Sequence, residues 1–140
     1  MDDRTIALVK DSFAKVEPIA PTAAEMFYAD LFASAPEVRP LFGERMDEQG
    51  MKLMSTLGFV VKSLPDLDKV ANAAGALALR HVEYGVEPHH YDAVGASLIR
   101  TLEQGLGSEF TLEVKEAWLT TYGVLAGVMI TTAYGEEAMK

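Results

Sequence analysis

The chain has 140 residues, 49% of them hydrophobic, and a formal net charge of -9, which suits one compact core and leaves no room for a second. Twelve Lys and Arg scattered among 21 acids form no clustered footprint for a phosphate backbone, so nucleic acid is excluded as a partner. Without cysteine there is no disulfide, thiolate metal site, cysteine nucleophile or thioether-linked prosthetic group. The N-terminal MDDRTIALVK opens on two acids, unlike a secretory leader, and no apolar run reaches the ~18 residues that span a bilayer. A cytoplasmic protein with no membrane partner is expected.

Apolar residues recur at spacings of three and four, which predicts an all-α domain over residues 1–140. Ile6, Val9, Phe13 and Val16 mark a first helix that stops before Pro18. Pro21 opens a second, with Ala24, Tyr28, Leu31 and Ala35 on one face. Pro36 starts a short helical turn that Pro40 and Gly43 close around Leu41 and Phe42. Asp47 is expected to cap a third helix carrying Met46, Gln49, Leu53, Leu57, Val60 and Leu64, ended near Pro65. A fourth runs from about Asp68 to Tyr84 with Val70, Ala74, Leu77, His81 and Tyr84 aligned, until Gly85. Pro88 opens a fifth, with Tyr91, Val94, Leu98, Leu102 and Leu106 facing inward. Thr111 caps the last, on which Val114, Trp118, Tyr122, Leu125, Met129 and Thr132 face inward. Six long helices and one short one favour layered helices over a four-helix bundle.

Three inward positions carry polar groups that a plain core would not choose: Tyr28, Gln49 and His81. Left without a partner, each would cost roughly 1 to 3 kcal/mol. Taken singly, each has an ordinary reading: a core aromatic with its hydroxyl at the edge, a solvated amide near a helix start, an imidazole bonded to a carbonyl. Together they lie on three different helices among large apolar side chains that could wall a cavity. His89 and His90 fall in a first helical turn and are expected to face solvent. No HExxH motif or i,i+4 histidine pair supports a protein metal cage. One available histidine suits a cofactor that brings its remaining ligands with it, as a porphyrin does.

At this point the chain resembles the single-domain bacterial globins that are similar to the haem domain of flavohaemoglobins. The likeness runs through MFYADLFASAPEVRPLF (26–42), Gln49 with Leu53, ALRHVEYGV (78–86), HYDAVGASLI (90–99) and EAWLTTYGVLA (116–126). It implies a globin fold, three-on-three helical layers around a pocket for non-covalent haem b. By position it makes His81 the proximal iron ligand, Phe42 the aromatic wedge on the porphyrin, Tyr28 and Gln49 the distal donors, and Leu53 the residue crowding the ligand. Tyr91 would lie near the proximal imidazole, and Trp118, Tyr122 and Leu125 would line the last helix. Arg80 and Arg45 become propionate partners, and Tyr84, Val86, Val94 and Leu98 join the cofactor-binding set.

The resemblance implies reversible O2 binding at a five-coordinate ferrous haem, for storage or delivery, with CO and NO as further ligands. Two donors in a water-poor pocket predict tight binding and slow release. The alternative is an enzyme, a nitric oxide dioxygenase expected to depend on a separate reductase, since no glycine-rich dinucleotide loop stands among these 140 residues. A third reading is a globin-fold sensor or non-haem interaction module. One departure stands out: an ungapped match from Tyr122 places Ala133 where the flavohaemoglobin pattern has a glutamate beside the proximal histidine. Glu136 and Glu137 are the nearby carboxylates.

Overall fold

Asp2 stands ahead of the first helix and accepts a hydrogen bond from the Thr5 backbone N–H at 2.8 Å, the cap that starts α1 (Asp3–Val16). The computed structural model describes residues 2–42, 45–83 and 89–134, except the side chains of residues 67, 79–83, 131, 133 and 134. A 3-10 turn at Glu17–Ile19, containing Pro18, leads into α2 (Ala20–Ser34), with Pro21 in its first turn. Pro tolerates that position because the first helical N–H groups have no intrahelical acceptor. A 3-10 helix, Pro36–Leu41, then delivers Phe42 in extended backbone.

Next come α3 (Met46–Ser63) and α4 (Leu67–Glu83). The Asp66 carboxylate starts α4 by accepting from Lys69 N–H at 3.2 Å. After it, α5 (His90–Leu106) ends where Gly107 takes a positive φ of 57°, a left-handed backbone that glycine adopts without steric cost. A 3-10 turn, Gly107–Glu109, precedes α6 (Leu112–Tyr134), whose first turn is capped by the Thr111 hydroxyl accepting from Val114 N–H at 3.2 Å.

Three local expectations change. Asp47 is not the cap of α3: the helix already begins at Met46, so Asp47 falls inside the first turn, where it complements the helix dipole. His90 is buried whereas His89 is exposed, because neighbours on a helix point roughly 100° apart and so need not share an environment. Thr132 is exposed: opposite it stands Gly75, which has no side chain to cover it. Gly43, Tyr84, Gly85, Val86, Pro88, Glu136 and Glu137 lie outside the described residues.

The helices form two layers, α1, α3 and α4 against α2, α5 and α6. The main cluster holds Val9, Phe13, Leu31, Val60, Leu64, Leu98, Leu102 and Trp118. The Trp118 polar handle is satisfied internally: its Nε1–H donates to Ser12 Oγ at 2.8 Å, fastening α6 to α1. A second cluster, Ala74 and Ala78 of α4 with Tyr91 and Met129, seats α4 against α5 and α6.

Polar ties hold α2 on its other side. The Asp30 carboxylate accepts from Ser97 Oγ at 2.7 Å and from Arg100 Nε and Nη2 at 2.9 and 2.6 Å. The Arg100 hydrogen bond holds the Asp30 carboxyl below its ordinary value. Since that pKa is depressed, the tie contributes its stability above the ordinary carboxylate range and loses it as pH falls through the lowered value.

Helices α2 and α3 cross closely at Gly50. A Cβ built on Gly50 would lie 2.9 Å from Ala24 Cβ, so only hydrogen at position 50 permits this approach. Gly50→Ala is expected to wedge the two helices apart and cost about 1–3 kcal/mol, read as a lower urea midpoint at unchanged slope. An unchanged midpoint would show that the crossing relaxes freely.

Candidate functional site

The crossing at Gly50 brings the polar positions of α2 and α3 together. Tyr28 is buried, and its hydroxyl donates to the Gln49 backbone carbonyl at 3.4 Å. That distance is long for an O–H···O bond. Burial pushes the Tyr28 phenol up to about 12, since the phenolate would be desolvated there. Its hydroxyl is therefore a donor at any physiological pH. The Gln49 side chain is half-buried and makes no hydrogen bond among the described residues.

Aromatic rings surround this hydroxyl-bearing ring. Phe32, one helical turn after Tyr28, stacks on it at 5.8 Å between centroids and 25° between planes. Phe42 meets Tyr28 edge-on at 5.4 Å and Phe32 edge-on at 5.4 Å. Phe27 completes the group, edge-on to Tyr28 at 5.0 Å. Four rings in stacked and edge-on contacts form an apolar wall around one donor.

Leu53, one turn beyond Gln49, is half-buried and reaches a cavity of about 20 Å³ that Phe27, Leu98 and Trp118 also line. The volume has room for about one water, but so apolar a lining favours a dry void. Val94 and Leu125 pack against the main cluster. Trp118 also lines this cavity while its indole is committed to Ser12 on α1.

Tyr122 is held in place, its hydroxyl donating to the Tyr91 carbonyl at 2.7 Å. Burial, with Tyr91 and Asp92 adding to it, raises the Tyr122 phenol above its ordinary value. A Cβ at Gly95 would lie 2.7 Å from the Tyr122 ring, so α5 gives this ring its seat by lacking a side chain there. Tyr91 is buried in the cluster that supports α4.

His81 and Arg80 lie in the last two turns of α4, with their side chains outside the described atoms. Arg45 is exposed and bound locally, 3.0 Å from Glu48 and 3.6 Å from Asp47. The expected site residues thus divide: Tyr28, Gln49 and Phe42 meet at one place, Leu53, Leu98 and Trp118 share the adjoining cavity, and Tyr91 with Tyr122 supports the α4 side. Sequence reasoning missed Phe32 and Arg39. Phe32 could have been found from its i+4 spacing to Tyr28. Arg39 carried no such signal, because an arginine in a surface turn reads as solvated.

Among the described residues no helix is long and apolar enough to cross a membrane, and no group of three or more His, Asp or Glu could hold a metal ion.

A family model described as Globin matches residues 25–129. The chain is 28% identical over 128 residues to a flavohemoprotein of Vibrio cholerae, covering 89% of this chain and 32% of that protein. It is 31% identical over 127 residues to a flavohemoprotein of Deinococcus radiodurans, again covering 89% and 32%. The chain therefore spans about a third of the length of these curated relatives. The solved structure of a bacterial globin from Campylobacter jejuni superposes with a TM-score of 0.83 at 24% identity, covering 94% of this chain and 96% of that one. A helical domain matched over three quarters of its length, with the same architecture in a solved relative, identifies this chain as a member of the globin family, with the haem-binding, oxygen-related function that the family implies.

Proposed function

We propose that the chain binds haem b non-covalently through His81 and reversibly binds O2 with Tyr28 and Gln49 as hydrogen-bond donors. One observation carries this reading: a buried hydroxyl, kept protonated by its surroundings, stands among aromatic rings with only a long bond to a neighbouring carbonyl.

The donor chemistry fits the cofactor. Haem, held by His81, would supply the iron to which a diatomic gas binds. His81 sits on α4, which the Ala74, Ala78, Tyr91 and Met129 cluster supports. Arg80 and Arg45 carry the positive charge suited to propionates, Arg45 by exchanging its bonds to Asp47 and Glu48. Phe42 presents an apolar face for a flat ring, and Tyr84, Val86, Val94, Leu98, Trp118, Tyr122 and Leu125 complete the proposed binding set.

The chain's own residues then set how long a gas stays. Tyr28 Oη keeps its proton and donates to an electronegative ligand atom. In surroundings poor in water that bond is worth more than in bulk solvent. Little is lost when the hydroxyl leaves the Gln49 carbonyl, because the 3.4 Å bond is weak. The Gln49 amide offers a second donor, while Leu53 excludes water and crowds larger ligands. CO and NO fit the same space.

A second reading, nitric oxide dioxygenation with electrons from a separate reductase, is favoured by the likeness to proteins named flavohemoprotein. Nitrate formation through many turnovers with a supplied reductase, as opposed to one stoichiometric burst, separates it from simple gas binding.

His81→Ala is expected to abolish stoichiometric haem uptake, followed as the Soret band during titration. A normal haem spectrum in that variant would overturn the assignment. Tyr28→Phe removes a donor and adds none, so O2 release in stopped flow should accelerate about tenfold, the factor matching one net hydrogen bond. An unchanged rate would transfer the role to Gln49 or to water.

A further inference from the structure

Phe42 is held at a point where the chain leaves regular structure. Its backbone is extended, immediately after the 3-10 helix Pro36–Leu41. Both of its main-chain polar groups go to one residue. The Phe42 N–H donates to the Arg39 carbonyl at 3.1 Å, and the Phe42 carbonyl accepts from Arg39 Nη1 at 3.2 Å. The same guanidinium lies over the Phe32 ring, 5.2 Å from its centroid. Phe32 in turn stacks on Tyr28 and meets Phe42 edge-on.

We infer that Arg39 is a positioning residue for the pocket: from the protein surface it fixes the Phe42 backbone and the Phe32 ring together, and through them the ring of Tyr28. The inference rests on the haem-globin reading for its functional consequence, though not for its geometry. Arginine suits this place because its planar fork donates from an edge while its face covers a ring. A lysine ammonium is a compact charge that cannot make both contacts in this geometry. Arg39 touches neither the gas nor the cofactor in this scheme; it acts by limiting how far Phe32 and Phe42 can shift around the Tyr28 hydroxyl. Loosening it should admit a wider range of hydroxyl positions and weaken the bond to a ligand.

The test uses the full chain with Phe rings labelled for NMR, comparing wild type with Arg39→Ala and Arg39→Lys. The ring resonances of Phe32 and Phe42 are expected to shift and lose dispersion in Arg39→Ala and to move part of the way in Arg39→Lys. The Trp118 indole N–H, whose bond to Ser12 fastens α6 to α1, should stay in place and report intact folding. In the haem-loaded carbonyl form, with CO as the probe, Arg39→Ala should broaden or split the C–O stretching band. Its O2 release should quicken roughly fivefold, as for loss of one surface cation–π contact.

Unmoved Phe42 resonances in Arg39→Ala would overturn the proposal, whatever the haem data show. If the alanine variant also disturbs Trp118, Arg39→Lys decides: Phe42 and Phe32 resonances identical to wild type would overturn it equally. Failure of the wild-type chain to take up haem would remove the haem reading, while the ring resonances would still judge Arg39.

Discussion

The close crossing of α2 and α3 at Gly50 is the constraint on which the pocket depends. Two helices whose side chains interleave are normally held 8 to 10 Å apart by their own bulk. Removing the side chain at one contact lets Ala24 Cβ sit where a second Cβ would collide. This approach places the Gln49 carbonyl within reach of the Tyr28 hydroxyl and starts Leu53 toward the adjoining cavity. Helix propensity disfavours glycine inside α3, so a local cost is traded for a tertiary contact.

Much of the helical frame was legible in the sequence because its signals are local. Pro18, Pro21 and Pro36 each mark a boundary that the structure shows, and the Thr111 cap forms as its side chain requires. The inward stripes of α1, α2 and α5 are buried or half-buried at the positions their spacing indicates. Asp47, His90 and Thr132 were misread because each depends on something periodicity does not contain: the exact first residue of a helix, the choice between adjacent residues, and the size of the residue opposite.

The pocket itself was legible chiefly through family resemblance. Three helices bearing Tyr28, Gln49 and His81 do not reveal from spacing alone that two of these residues meet. Phe32 and Arg39 show the same limit from the other side. The Arg39 contacts arise only because the chain turns after Leu41 and brings Phe42 back over α2, so that an outward-facing cation finds a carbonyl and a ring at once. Nothing in a surface arginine announces such a pair.

The opposite titration behaviour of Tyr28 and Asp30 has a consequence for how the protein responds to acidity. These residues sit two positions apart on α2, one facing the pocket and the other tied to α5. Burial moves the first up to about 12, while Arg100 moves the second down from 3.8. Between those limits neither gains or loses a proton, so on the proposed reading neither couples gas uptake to proton release. With respect to these two groups the α2 side of the pocket is proton-neutral: its donor and its anchor remain the same chemical species across the range of pH in which most proteins work.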